Sequence, residues 1–114
     1  MSELVKFLCK GDHPIEARLP EKTREALEKA IASGHVLIRF TDTRGGTDLL
    51  VPLDRNRSDL WAIEDNNGSG EINLVGDLKL DYVAVTCVAR IDLSTLEGQG
   101  QLQIAIELTP GGLN

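Results

Sequence analysis

A chain of 114 residues has room for one domain and one hydrophobic core, and 41 % hydrophobic with 26 % charged residues is ordinary for a globular fold. A formal net charge of −6 argues against DNA, RNA and anionic membrane surfaces, which are held by clustered lysine and arginine. Aromatic residues are only 4 %, so the core is expected to be aliphatic and base-stacking platforms are set aside.

Met1-Ser2-Glu3 lacks the basic start of a signal peptide. No run approaches the ~20 apolar residues of a membrane span. The expectation is a cytoplasmic protein whose two cysteines, Cys9 and Cys87, are reduced, small, buried hydrophobes. Residues 3–9 read as a first strand, and Lys10-Gly11-Asp12-His13-Pro14 as a turn. Ile15, Ala17 and Leu19 alternate with Glu16 and Arg18 and give a short second strand. Pro20 then opens a helix over residues 21–33. Ala26, Leu27, Ala30 and Ile31 make its apolar stripe, and Gly34 its C-cap.

Residues 35–41 read as the next strand. Its continuous Val36-Leu37-Ile38 predicts burial on both sides. Thr43-Arg44-Gly45-Gly46 is a hairpin turn, and residues 49–53 return, with Pro52 marking an edge or a strand end. Residues 54–59 are a polar loop, and residues 60–63 a short strand or a single helical turn. Residues 71–75 form a strand leading into a long hairpin over residues 78–108. In its outgoing arm Leu78, Leu80 and Tyr82 hold one parity, while Val83, Val85, Cys87, Ala89, Ile91 and Leu93 hold the other. That implies a bulge near residues 81–83. Glu97-Gly98-Gln99-Gly100 is expected to turn the chain back along Leu102, Ile104, Ile106 and Leu108.

These readings add up to a single α+β domain over residues 1–114. One amphipathic helix packs on a curled, mostly antiparallel sheet of about six or seven strands. The expected core takes Leu4, Phe7, Leu27, Ala30, Ile31, Leu37, Ile38, Phe40, Leu50 and Leu60 from the first half. From the second it takes Ile72, Leu74, Val83, Val85, Cys87, Ile91, Ile104, Ile106 and Leu108.

The most pronounced motif runs from Asp65 to Asn73. It resembles the first nine positions of an EF-hand calcium loop: oxygen side chains at Asp65, Asn67 and Ser69, Gly70 at the sharp bend, then Glu71 and, through water, Asn73. The resemblance implies a calcium site on Asp65, Asn67, Ser69, Glu71 and Asn73. It breaks at position 12, where the bidentate glutamate is replaced by Gly76, and no helix follows. The favoured reading is a hairpin loop between residues 60–64 and 71–75, in which Asn and Gly supply positive φ. The order strand–strand–helix–strand–strand over residues 3–53 resembles the β-grasp arrangement of ubiquitin-like proteins, although two residues follow Gly111-Gly112 and a long β-patterned stretch separates the two features. His13 and His35 are the only histidines, and neither stands at a zinc or catalytic spacing.

With no catalytic constellation, phosphate loop or basic patch, the expected function is non-enzymatic. The chain reads as a small acidic module that binds a protein partner or a second copy of itself through its long C-terminal hairpin, with Ala84, Thr86, Val88 and Arg90 as the docking residues. No cofactor is expected. The alternative is a ligand- or calcium-binding module using residues 65–73.

Overall fold

The computed structural model describes residues 2–64 and 70–105. Its elements in chain order are α1 (Glu3–Leu8), β1 (His13–Ala17), α2 (Arg24–Ser33), β2 (His35–Phe40), β3 (Thr47–Pro52), α3 (Trp61–Glu64), β4 (Glu71–Leu80), β5 (Val83–Asp92) and β6 (Glu97–Ile104). The six strands form one sheet in the order β3-β2-β1-β6-β5-β4, every pair antiparallel. The molecule is therefore α+β.

The sheet curls until it is nearly a barrel, and its two end strands meet again. The Asp54 N–H donates to the Val75 carbonyl at 2.8 Å, and Asp59 and Asn73 exchange two backbone bonds at 2.8 and 2.9 Å. At the seam Gly76 lies so close to Pro52 that a Cβ there would collide with the Pro52 carbonyl oxygen. Only glycine allows this approach. Ile15, Ile38, Phe40, Val51, Ile72, Leu74, Val85, Cys87, Ile91 and Leu102 belong to one buried cluster. Each full burial of a Leu, Ile or Val side chain contributes about 1.5–3 kcal/mol.

The segment expected to be a first strand is the helix α1. Ser2 caps it, its Oγ accepting the Val5 N–H at 3.0 Å, and Val5 and Leu8 are buried. A strand would send those two side chains, three residues apart, to opposite faces; a helix sends both inward. With a helix in first place the β-grasp order is lost. The α2 helix begins later than expected, at Arg24, because the Thr23 hydroxyl accepts the Ala26 N–H at 3.1 Å and so defines the N-cap. Gly34 ends it in the left-handed region at φ 92°, as expected, and Leu27 and Ile31 are buried.

In β2, Val36, Ile38 and Phe40 are buried while Leu37 and Arg39 are half-buried. The strand is central, but one face only is dry. The long outgoing arm is two strands. The parity change at residues 81–83 is a two-residue hairpin loop, Asp81 and Tyr82 both at positive φ (50° and 68°), pairing Leu80 with Val83. The expected turn at residues 97–100 lies inside β6. The chain turns instead between Asp92 and Glu97, where the Asp92 carboxylate accepts the Ser94 N–H at 2.7 Å and Leu96 takes φ 62°. Gly98 and Gly100 sit in the strand because Cβ atoms there would strike the Arg90 carbonyl and the Ile15 side chain.

Among the expected core residues, Phe7, Leu50 and Ile104 are exposed, and Leu4, Ala30, Leu37 and Val83 are half-buried. Leu50 has the outward parity of β3, where Leu49 and Val51 point in. Ile106 and Leu108 lie outside the described residues.

Candidate functional site

Alternation along β5 divides its side chains cleanly. Val85, Cys87, Ala89 and Ile91 face the core, which leaves Ala84, Thr86, Val88 and Arg90 on the outer face. The structure thus brings all four expected docking residues into one row. Lys79, Asp77, Val75 and Asn73 of β4 lie opposite them on one side; Gln103, Gln101 and Gln99 of β6 lie opposite Thr86, Val88 and Arg90 on the other. Ala84, Thr86 and Val88 are half-buried and Arg90 is exposed.

The row is framed by a polar network. The Thr86 hydroxyl donates to Asp77 Oδ1 at 2.6 Å, and Arg57 reaches Asp77 Oδ2 and Asp54 Oδ2, each at 2.7 Å. Those bonds hold the Asp77 carboxyl below its ordinary value, the Thr86 hydroxyl contributing most and the Arg57 guanidinium next. Arg57 likewise lowers Asp54, and its own guanidinium is raised by Asp77 and Asp54. At the other end of the row Arg90 pairs with Asp12 at 3.0 Å. Arg57, Asp77, Ala84, Thr86 and Ile104 line an open depression of about 390 Å³ on this side.

The expected metal ligands fare differently. Asp65, Asn67 and Ser69 lie outside the described residues. Glu71 is exposed at the start of β4, opposite Asp92. Asn73 is half-buried, its backbone bonded to Asp59 and its side-chain Oδ1 buried without a hydrogen-bond partner among the described residues. Gly76 occupies the place of the EF-hand glutamate, and the seam leaves no room for any side chain there. Among the described residues no group of three His, Cys, Asp or Glu side chains stands close enough to hold a metal. The polar loop at residues 54–59 spends its oxygens locally: Asp54 Oδ1 accepts the Asn56 N–H at 3.0 Å, and Asp59 Oδ1 accepts the Trp61 N–H at 3.1 Å to start α3.

One pair was not anticipated from the sequence. His13 is the buried polar residue of the core, its Nδ1 2.9 Å from Asp42 Oδ2. The Phe7 ring centroid lies 4.6 Å from the imidazole, and Nε2 is buried without a partner among the described residues. The turn expected at residues 10–14 ends before His13, which opens β1 with the inward parity of Ile15 and Ala17. Asp42, 29 residues away in sequence, carried no such signal. His35 is exposed. Both cysteines are free; burial raises the Cys9 thiol and pushes Cys87 up to about 12. No helix of the described residues is long and apolar enough to cross a membrane.

No protein-family model and no curated protein matches the chain.

Proposed function

We propose that this protein is a small acidic, non-enzymatic binding module of the cytoplasm, which docks a protein partner or a second copy of itself on the outer face of the β4–β5–β6 ribbon. The observation that carries the reading is the row Ala84, Thr86, Val88 and Arg90. It is a partly apolar row, half-buried at Ala84, Thr86 and Val88 and exposed at Arg90, held between β4 and β6 and rimmed by Asp77, Lys79 and three glutamines. The α2 helix is taken as the amphipathic helix that packs on the sheet, its Leu27 and Ile31 in the buried cluster, which leaves the ribbon's outer face to a partner.

Two observations support a binding role over a catalytic one. The Nε2 of His13 is buried, so no outside molecule reaches the base of the His13–Asp42 pair. Cys87, at about 12, remains a thiol at neutral pH and is a poor nucleophile. Free Cys9 and Cys87 also fit a reducing compartment.

The test is Val88→Arg. The side chain faces outward, so the far-UV spectrum and thermal midpoint are expected to stay within normal surface-mutation limits, about 0.5 kcal/mol. Association through this face, read by titration calorimetry with an identified partner, is expected to be lost. Unchanged association in Val88→Arg rejects this face.

The calcium reading keeps one supporting observation, the unpartnered Asn73 Oδ1 near the exposed Glu71 carboxylate. Calcium added to millimolar concentration, followed through the exposed Trp61, separates the two readings. A saturable fluorescence change assigns the metal, and a flat titration discards it.

A further inference from the structure

We infer that two copies of this chain pair through the free lower edge of β4, antiparallel, about a two-fold axis that passes by Leu78. The inference rests on the reading of the β4–β5–β6 ribbon as the interaction element, and it specifies the partner and the register.

Along a strand, successive residues direct their backbone N–H and C=O groups to alternate neighbours. Asn73 exchanges both of its bonds with Asp59. The Val75 N–H donates to Ser58 Oγ at 2.9 Å, and its carbonyl accepts the Asp54 N–H at 2.8 Å. The odd-numbered residues of β4 therefore face away from β5. Asp77 and Lys79 continue that series, and among the described residues nothing bonds to their backbone groups on that side. Residues 54–59 cover the upper edge of β4, and β3 approaches it where Val51 and Pro52 meet Gly76, without a ladder. Below the seam the strand presents two N–H and two C=O groups in a row, a template for another strand.

Charge then selects the occupant and the register. With Leu78 on the axis, Asp77 of each copy lies opposite Lys79 of the other, so two hydrogen-bonded pairs each carry opposite charges. A shift by two residues one way sets Asp77 against Asp77, and the other way Lys79 against Lys79. Both shifts place like charges directly across, so the edge is complementary to itself in one alignment and repels its neighbours. Lys79 forms no ion pair among the described residues. Asp77 holds Thr86 and Arg57 but, as a carboxylate, retains further acceptor sites. The edge is short, which places the dimer in the weak class.

The experiment is light scattering on the full chain over a concentration series. The mass is expected to rise from 12.4 kDa towards twice that value. Lys79→Asp and Asp77→Lys are each expected to stay monomeric. Their equimolar mixture is expected to regain the doubled mass, because one strand then carries two carboxylates and the other two ammoniums. Asp77→Lys removes the partner of Arg57 and Thr86, so its fold is checked by circular dichroism. Should it fail to fold, Lys79→Pro serves alone: it deletes an edge N–H that bonds to nothing among the described residues, and it is expected to be folded and monomeric. A wild-type chain that remains monomeric to high concentration, a dimer that survives Lys79→Asp, or a mixture that stays monomeric overturns the inference. If Val88→Arg dissolves the dimer while Lys79→Asp does not, the edge is wrong and the face reading stands. If neither variant changes the association, both are wrong.

Discussion

Asp42 does structural work that its place in a surface turn conceals. A carboxylate only accepts, so the Nδ1–H of His13 donates to Asp42, while Nε2 lies buried. The imidazole is then packed between Phe7 at 4.6 Å and Phe40 at 6.3 Å. Asp42→Ala leaves a buried N–H without an acceptor, a loss of about 1–3 kcal/mol. In a domain of this size that lowers the thermal midpoint by roughly 4 °C or more. Urea unfolding and calorimetry check it, with Asp42→Asn, which keeps an oxygen acceptor, expected to lose less. An unchanged midpoint in Asp42→Ala would mean that the pair contributes nothing. His13 is expected in a turn, whereas β1 begins at it and alternation with Ile15 and Ala17 turns it inward; the acceptor comes from beyond the end of β2, and local pattern carries no information about a contact across strands. The shared face of Ala84, Thr86, Val88 and Arg90 on β5 is legible where Asp42 is not, since four residues at one parity on one strand need no long-range knowledge.

At the scale of elements, the parity break at residues 81–83 shows what patterning reveals and what it leaves open. An inversion of faces requires either one extra residue or a tight two-residue loop, and both give the same string of apolar positions. Asp-Tyr lacks the glycine that announces the tight loop, yet both residues adopt positive φ, at 50° and 68°. Conversely Gly98 and Gly100 suggested a turn but serve close strand contact inside β6. The helix α1 was misread because six residues offer few repeats, although Val5 and Leu8 already stand at helical spacing behind the Ser2 cap. The Gly34 cap and the Gly45–Gly46 turn were read correctly, because there the needed φ is positive and glycine supplies it. The hairpin loop yields a prediction. Tyr82 is fully exposed, so its ring contributes no packing to offset a left-handed backbone, which costs a non-glycine residue about 1–2 kcal/mol. Tyr82→Gly is expected to stabilise the protein by about 0.5–1 kcal/mol after the added freedom of the unfolded chain is subtracted. The check is the urea midpoint at constant m; a lower midpoint would show that Tyr82 holds the loop by contacts the strain argument omits.

For the whole molecule, acid is expected to open the barrel, and to open it at one place. Asp48, Asp54, Asp77 and Asp92 all titrate below the ordinary carboxylate value: Arg39 lowers Asp48, Arg57 lowers Asp54, Thr86 and then Arg57 lower Asp77, and Ser94 lowers Asp92. A group whose folded pKa is depressed contributes stability that is present above its unfolded pKa and is lost as pH falls through the folded one. The thermal midpoint is therefore expected to hold nearly level from pH 7 to about 5 and to fall below about pH 4, where the unfolded chain takes up protons that the folded one resists. These side chains are exposed, so each contributes modestly and the effect is collective. Their placement decides where the loss is felt. Arg57 binds Asp54 within its own loop and reaches Asp77 of β4 across the junction of β3 and β4, where the two end strands meet without a ladder among the described residues. Elsewhere the sheet is held by long antiparallel pairings such as β4 with β5. Protonating Asp54 and Asp77 removes the charge that anchors Arg57 and leaves the Asp54–Val75 and Asp59–Asn73 backbone bonds to close the seam. Hydrogen exchange at about pH 3.5, compared with pH 6 after correction for intrinsic rates, is expected to show protection lost first at the Asp54, Asp59 and Asn73 amides while the inward-facing middle of β5 around Cys87 remains protected. Uniform loss of protection across the sheet would show instead that the barrel opens as one unit and that Arg57 is no special fastening.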